Sequence, residues 1–299
     1  MEGRSQYLHA LLNAVHIYAL PPKFLKNQLL SCPILSKKRL SLPPCGSCRK
    51  HSLASQRRGI YRQHSLTTMQ AYDPRKKVWI KLADMGTPCS GLGACTLFGL
   101  IYTVGGRNLS LQTNLDSSFL CCYNPMTNQW SQRASLNIPR NRVGVAVVDG
   151  CIYAVGGSEG SVHHNTVERW DPECNRWSFV CPMSVARLGA GVAASGGALY
   201  VVGGYDGQNR WNTAERYQPD TNTWHPLAPM NTMRSGLGLV SLNSYLYAIG
   251  GYDGQNQLCT VERYNIGRNI WEPRAPMKHC RSALGVAVHQ GRIYVFGQS

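Results

Sequence analysis

The amino-acid sequence predicts an all-β protein of the β-propeller class, and three features support this prediction. Five tryptophans share one register, and the last four lie 47 residues apart. Pairs of glycines recur in step with them, and an aromatic residue precedes each of these tryptophans by seven positions. A repeat of this length is typical of blades that stack around a common axis. The five tryptophans are Trp79, Trp130, Trp177, Trp224 and Trp271.

Each repeat contains four short apolar segments that are separated by turn residues. In one unit these segments read GVAVVDG, CIYAVGG, NTVERWDP and NRWSFV. Apolar and polar residues that alternate over such lengths predict antiparallel strands. The glycine pair ends the second strand where the backbone must turn to positive φ or approach another strand closely. A β-sandwich is the alternative, but sandwiches lack a strict long repeat.

The repeat register divides the chain into a leader and a propeller. Residues 1–58 contain no repeat, whereas residues 59–299 contain four full units between two partial ones. The units are 59–86 (partial), 87–136, 137–184, 185–231, 232–278 and 279–299 (partial). The first partial unit is expected to supply two outer strands of a blade, and the last one two inner strands. These ends could pair and close a five-bladed ring, or they could leave an open, incomplete ring.

The leader carries most of the positive charge. The chain of 299 residues has a formal net charge of +16, and its first 68 residues hold eleven Lys and Arg against one acidic residue. Two Pro-Pro pairs and only short apolar runs predict disorder there. The segment from Tyr7 to Leu20 is too short and too polar to span a bilayer. We expect the protein in the cytoplasm, with the nucleus as a second location.

The cysteines and histidines do not suggest a metal site or a disulfide framework. Twelve cysteines are present, but a repeat core of this size is stabilised by burial and needs no disulfides. Cys121, Cys122, Cys151 and Cys259 fall in predicted strands and are expected to be small buried residues. The adjacent His163 and His164 lack further ligands, so we interpret them as structural or rim residues and expect no metal and no cofactor.

The repeat motif resembles a known family. A glycine pair, a downstream tyrosine and a tryptophan seven residues later, as in GVAVVDGCIYAVGGSEGSVHHNTVERWDPECNRW, resemble the Kelch repeat. Longer segments such as CYNPMTNQWS, GGYDGQNQL and APMKHCRSALGVAVHQGRIYV resemble the six-bladed propellers of Kelch substrate adaptors of cullin-RING ubiquitin ligases. This resemblance covers about residues 59–299 and implies an incomplete Kelch propeller with four full blades and two half blades.

The resemblance also implies a function in the oxidative stress response. It suggests a non-enzymatic module that captures acidic peptide motifs of a cap'n'collar bZIP transcription factor for ubiquitination. The ligase would be reached only through BTB and BACK regions, which we do not find in this sequence, and no direct contact with nucleic acid or membrane is expected. The alternative is a Kelch scaffold that binds actin or other cytoskeletal partners. A copper oxidase built on Kelch blades would need converging His and Tyr ligands, which the sequence does not supply.

A set of polar and aromatic residues near the strand ends forms the candidate peptide site. Arginine binds carboxylates with two parallel hydrogen bonds, and serine and glutamine adapt to backbone carbonyls. By the resemblance, Tyr205 and Tyr252 line the pocket with aromatic surface. The predicted peptide-binding residues are Ser90, Arg107, Asn108, Arg142, Tyr205, Arg210, Ser235, Tyr252, Gln257 and Ser282.

Four other arginines follow the repeat and are interpreted as structural residues, with peptide contact as the alternative. They are Arg140, Arg187, Arg234 and Arg281. Two positions depart from the family pattern. Cys89 replaces the arginine of the corresponding unit, and Leu109 replaces an asparagine that the resembling adaptors offer to the peptide.

Overall fold

A computed structural model of the chain describes residues 67–73, 76–110 and 113–297, and all of them belong to one compact unit built of β-strands. The predicted leader and residues 59–66 of the first partial unit lie outside the described residues. In the described part of the chain, no helix is long and apolar enough to cross a membrane.

Most strands form four-stranded antiparallel sheets, with a two-stranded sheet at each end. The first half-blade contains β1 (Gln70–Asp73) and β2 (Val78–Lys81). The first full blade contains β4 (Gly93–Leu97), β5 (Leu100–Val104), β8 (Leu120–Asn124) and β9 (Gln129–Gln132), and beside it lie β3 (Cys89–Ser90), β6 (Arg107–Ser110) and β7 (Thr113–Asp116). The second contains β10 (Gly144–Val148), β11 (Cys151–Val155), β14 (Val167–Asp171) and β15 (Arg176–Val180), with a hairpin of β12 (Ser158–Glu159) and β13 (Val162–His163). The third contains β16 (Gly191–Ser195), β17 (Ala198–Val202), β18 (Ala214–Gln218) and β19 (Thr223–Leu227). The fourth contains β20 (Gly238–Leu242), β21 (Tyr245–Ile249), β22 (Val261–Asn265) and β23 (Ile270–Arg274). The last half-blade contains β24 (Gly285–His289) and β25 (Arg292–Phe296).

These sheets confirm the predicted propeller with four full blades and two half-blades. The short strands β3, β6, β7, β12 and β13 were not predicted, because the sequence analysis treated the segments after the glycine pairs as loops. The expectation of small buried strand residues is confirmed for Cys122 and Cys151, but Cys121 in β8 is half-buried, and Cys259 precedes β22 and is half-buried.

The innermost strands of the four full blades and of the last half-blade line one central channel. Residues of β4, β10, β16, β20 and β24 surround a cavity of about 560 Å³. Neighbouring inner strands approach so closely that a Cβ atom added at Gly144 would lie 2.2 Å from Cγ2 of Val192 in the next blade. The apolar core lies between blades, where Val104 of the first blade packs in one cluster with Ile152 and Trp170 of the second. The repeat therefore places one blade's face against the next.

A buried arginine joins the strands of each of the last three full blades. Arg140, Arg187 and Arg234 have fully buried side chains and form ion pairs of 3.0, 2.7 and 2.9 Å. Their carboxylate partners are Glu168, Glu215 and Glu262. Each also donates to the carbonyl of the first glycine of its pair, over 2.6 to 2.9 Å. These bonds confirm the structural interpretation of these three arginines, since their hydrogen-bonding groups point into the blade.

The first full blade lacks this ion pair. Cys89 occupies the arginine position and Cys121 the glutamate position. The Cys89 thiol donates to the Gly105 carbonyl over 3.5 Å, the contact that an arginine makes in the later blades. Burial, with a smaller effect of the nearby Cys121, raises the pKa of Cys89 to about 11. This blade therefore replaces a charged network with two neutral thiols.

The tryptophans of the fourth strands tie each unit to the one before it. The indole N–H groups of Trp130, Trp177, Trp224 and Trp271 donate to carbonyls of the preceding unit over 2.8 to 3.0 Å. Trp79 of the first half-blade makes no such bond within the described residues, and 53% of it is exposed. It contacts Phe296 of the last half-blade, with ring centroids 5.7 Å apart.

The two half-blades touch but do not merge. β1 pairs only with β2, and β24 only with β25, so the strand pairing expected for a closed five-bladed ring is not observed among the described strands. A row of backbone bonds around the channel also stops at this seam. It runs from Gly91 through Arg142, Gly189 and Gly236 to Ala283, over 2.7 to 3.1 Å, and no described bond returns from Gly91 to Ala283.

Candidate peptide-binding site

The predicted site residues lie at one end of the blades. There, the segment before the innermost strand meets the segment after the glycine pair. In each full unit, the residue three positions before the innermost strand pairs with the residue directly after the glycine pair. The pairs are Ser90 with Arg107, Asn141 with Ser158, Leu188 with Tyr205, and Ser235 with Tyr252. The structure thus brings several predicted residues together in adjacent pairs. Asn141 and Leu188 hold equivalent places but were missed, because their side chains differ from those of the other pairs.

Arg210 is the centre of the most organised part of the site. Its guanidinium carbon lies 4.7 Å from the ring centroid of Tyr205 and 4.8 Å from that of Tyr252. Its Nε donates to Oγ of Ser235 over 3.2 Å. Aromatic faces attract a cation and hold a guanidinium plane in place. Four predicted residues from two blades therefore form one cluster that orients a positive charge.

Two identical turns shape this cluster. The sequence YDGQN occurs at 205–209 and again at 252–256. Oδ1 of Asp206 accepts backbone bonds from Gln208 and Asn209 over 2.8 and 2.6 Å, and Asp253 caps its turn in the same way. The bond from the backbone of Asn209 is the main cause of the lowered pKa of Asp206. Both carboxylates thus accept hydrogen bonds from the backbone of their own turns.

The two tyrosine hydroxyls also point back into the turns. Oη of Tyr205 donates to the Gly207 carbonyl over 2.5 Å, and Oη of Tyr252 donates to the Gly254 carbonyl over 2.9 Å. Each ring is therefore held by its own loop, and its face is presented to Arg210. His163 of the neighbouring blade meets Tyr205 edge-on, with ring centroids 5.7 Å apart. This supports the interpretation of His163 as a rim residue, whereas His164 is buried against the Pro139 carbonyl.

Arg107 is already paired with a carboxylate. Its Nε and Nη2 donate to Asp116 over 2.6 and 3.1 Å across the β6–β7 hairpin, and Asp116 also accepts the Gly160 N–H over 2.6 Å. Burial opposes ionisation of Asp116, but the bonds from Arg107 and Gly160 outweigh it and lower the pKa. Sequence reasoning missed Asp116, because it becomes a neighbour of Arg107 only through the hairpin. A peptide carboxylate would therefore share this arginine.

Arg142 has an unusual backbone. Its φ is +52°, in the left-handed region that favours glycine. Equivalent positions in three other units are Gly91, Gly189 and Gly236, with φ between +61° and +63°. The Arg142 side chain is exposed, so packing does not compensate for the strain. Ala283, the equivalent residue of the last half-unit, has a φ of +51°, so this backbone conformation belongs to the repeat and only the arginine side chain distinguishes position 142.

The remaining predicted residues lie at the margins of this surface. Asn108 stands in β6 opposite Cys89 and Leu115. Gln257 is exposed and its backbone pairs with that of Tyr252. Ser282 is half-buried beside Arg281, and the position that would pair with it, residue 299, lies outside the described residues. Arg281 itself donates to the Gly297 carbonyl and forms no ion pair with a described carboxylate.

The side chains of this surface have the chemistry that suits acidic groups. It combines guanidinium groups, hydroxyls and aromatic faces, and the carboxylates nearest to them are engaged in turns or in the Arg107 pair. In the described part of the chain, no group of three or more His, Cys, Asp or Glu side chains could hold a metal ion.

The fold and its repeat place the chain among known proteins. The Kelch motif matches residues 88–137, 139–184, 186–231 and 233–278. These matches cover more than half of the chain, which therefore belongs to the Kelch-repeat family. The solved structure of YjhT aligns with a TM-score of 0.66 over 77% of this chain and 91% of that one, at 15% identity, which supports the fold alone.

Individual relatives show which Kelch-like proteins the chain is similar to. The chain is 66% identical to Kelch-like ECH-associated protein 1A of Danio rerio over 180 residues, which cover 55% of this chain and 30% of that protein. It is 47% identical to Kelch-like ECH-associated protein 1B of the same organism over 181 residues, 56% of this chain and 31% of that protein. It is 30% identical to Kelch-like protein 28 of Mus musculus over 54% of this chain and 33% of that protein. The chain spans about a third of the length of the curated relatives it matches.

Proposed function

We propose that this chain is a non-enzymatic substrate-recognition propeller that binds acidic peptide segments at the mouth formed by its interblade loops. The observation that carries this proposal is the Arg210 cluster, in which two tyrosine rings and Ser235 orient one guanidinium. A guanidinium held in this way loses little conformational entropy when it binds a carboxylate. The exposed side chain of Arg142, at a position where three other units have glycine, supplies further support.

The similarity to the two Kelch-like ECH-associated proteins suggests the partner. We infer that the bound segment is an acidic turn of a cap'n'collar bZIP transcription factor, captured for ubiquitination during oxidative stress. A cullin-RING ligase would be engaged through regions that lie in the longer relatives outside the aligned part. The cytoplasm, with the nucleus as a second location, is the compartment this proposal requires.

The proposal is tested by titrating a fluorescent peptide that contains a Glu- and Asp-rich turn and measuring its anisotropy. Arg210→Ala should weaken binding by about tenfold or more, since a hydrogen bond to a charged group contributes about 1.5–3 kcal/mol. Arg268→Ala is the matched control, because Arg268 is exposed in the turn between β22 and β23 and its loss changes the net charge equally. Equal weakening by both variants would show nonspecific charge attraction and contradict the proposed site.

Arg142→Gly separates binding from stability. Glycine adopts a positive φ without strain, so this variant should have an equal or higher free energy of unfolding, by up to about 1 kcal/mol. Its denaturation midpoint should be equal or higher. It should nevertheless bind the acidic peptide about tenfold more weakly. Unchanged affinity in a stabilised variant would remove Arg142 from the site.

Sedimentation with actin filaments tests the cytoskeletal alternative. That alternative predicts actin binding that is unchanged by substitution of Arg142 or Arg210.

A further inference from the structure

Two cysteines of the fourth full unit and the last half-unit depart from the repeat at facing positions. The residues equivalent to Cys259 are Asn165 and Asn212, whose side-chain amides donate to methionine carbonyls over 3.1 and 3.0 Å. The positions equivalent to Cys280 are Pro139, Ala186 and Met233. No other described unit has a cysteine at either position. Both thiols therefore occur together where the repeat requires neither.

The backbone holds these two positions side by side. The Met277 N–H donates to the Cys259 carbonyl over 2.8 Å, and the Arg281 N–H donates to the Leu258 carbonyl over 3.0 Å. The segment that contains Cys280 is thus anchored on both sides to the segment that contains Cys259. A disulfide requires neighbouring backbones with Cα atoms closer than about 7 Å. The two backbone bonds hold the segments in the neighbouring arrangement that a disulfide needs.

Both thiols are accessible to solvent. Cys280 is exposed and Cys259 is half-buried, and both are reduced in the structure. A hydrogen bond with the Cys259 thiol is the main cause of the raised pKa of Cys280. Because the thiolate is the attacking species, exchange at this site should become faster as the pH rises.

We propose that Cys259 and Cys280 form a reversible disulfide, with a small-molecule disulfide of the glutathione type as the oxidant. The thiolate of one cysteine attacks a sulfur of the oxidant, and one thiol of the oxidant leaves, so that a mixed disulfide forms. The second protein thiolate then attacks the protein sulfur of that mixed disulfide and displaces the second thiol. The two cysteines lose two electrons and two protons, and the oxidant is reduced to two thiols.

This disulfide would act on the candidate peptide site. Gln257 lies two residues before Cys259, and Ser282 lies two residues after Cys280. A covalent link would hold the two loops that carry these predicted peptide-binding residues in one arrangement. Ordering a loop before binding lowers the entropic cost of association. This coupling rests on the proposed function, whereas the disulfide does not.

The test uses the full chain, reduced and then incubated with oxidised glutathione. The two cysteines fall in different tryptic peptides, residues 235–263 and 279–281, so mass spectrometry of a digest reports their linkage directly. Cys280→Ser removes one exposed thiol, and Cys259→Asn restores the residue of two sister units and should fold. Cys174→Ser is the matched control, because Cys174 is exposed in a turn of the second blade. Affinity for the acidic peptide is measured for the reduced and oxidised chain.

We expect the two peptides to be linked in the oxidised wild type and in Cys174→Ser, and unlinked in the other two variants. Oxidation should tighten peptide binding by about three- to tenfold wherever the link forms. Separate glutathione adducts on each cysteine, or no modification, would overturn the disulfide. A link that leaves the affinity unchanged would overturn the coupling. A link in a chain that binds no peptide in either state would support the disulfide and refute the proposed function.

Discussion

The full blades and the two terminal half-blades come from the same repeat but differ in how their ends are held. In the third full blade, Arg187 is fully buried and bonds to Glu215 and the Gly203 carbonyl. In the last half-blade, the equivalent Arg281 is half-buried and bonds only to the Gly297 carbonyl among the described groups. A unit thus forms its inner strands by itself, whereas the buried arginine network also requires a carboxylate on the third strand of the blade.

The largest effect is expected from breaking the ion pair of a full blade. Arg187→Met leaves Glu215 buried without its partner, which should lower the free energy of unfolding by about 3–5 kcal/mol. Arg281→Met removes a contact at the seam and should cost about 1 kcal/mol. Urea titration followed by tryptophan fluorescence measures both. Similar losses for the two variants would mean that the seam is as well ordered as the blades.

A smaller contrast is expected between two tryptophans of the repeat. Trp177 is 4% exposed and bonds to the Ala134 carbonyl, whereas Trp79 is 53% exposed. Trp177→Ala should therefore cost about 3–5 kcal/mol, and Trp79→Ala about 1 kcal/mol or less. Thermal unfolding by circular dichroism gives the order of the two variants. A larger loss for Trp79 would show that its contact with Phe296 closes the ring in solution.

The smallest effect is a pH dependence of the second full blade, which alone among the last three full blades has a histidine at this position. Burial, with a smaller effect of Arg140, lowers the pKa of His164 below the usual histidine value of 6.5. The folded protein thus favours neutral His164, so stability is retained above pH 6.5 and declines as the pH falls below it. His164→Asn should show a shallower loss of stability between pH 7 and pH 5.5 in urea titrations. An unchanged slope would exclude His164 as the cause.

Much of the fold could be predicted because residues at a fixed spacing mark the equivalent positions of successive units. The spacing of Trp130, Trp177, Trp224 and Trp271 located all four full blades, and the glycine pairs located the strand ends. The hairpin that joins Arg107 to Asp116 escaped prediction, because the segment after the glycine pair differs in sequence between units and is four residues longer in the first full unit. The structural role of Arg140, Arg187 and Arg234 was correctly inferred from their periodicity.

The candidate site was predicted in its composition but not in its arrangement. Arginines that leave the repeat register drew attention to Arg107, Arg142 and Arg210. Sequence alone did not show that Arg107 is already paired, nor that Arg142 adopts a positive φ. The equivalent glycines at 91, 189 and 236 were a usable signal for that backbone, since three of the five equivalent positions are glycine.

By itself the sequence determined the architecture, because a blade cannot bury its faces alone and the period of 47 residues dictates how blades stack. It also determined which residue types gather near the strand ends. Only the tertiary structure decided which of these residues meet. Arg210 lies between two tyrosines, and Cys259 lies beside Cys280, through contacts between segments that are distant in sequence. Such contacts depend on loop geometry and on hydrogen bonds between blades, which a one-dimensional pattern does not encode.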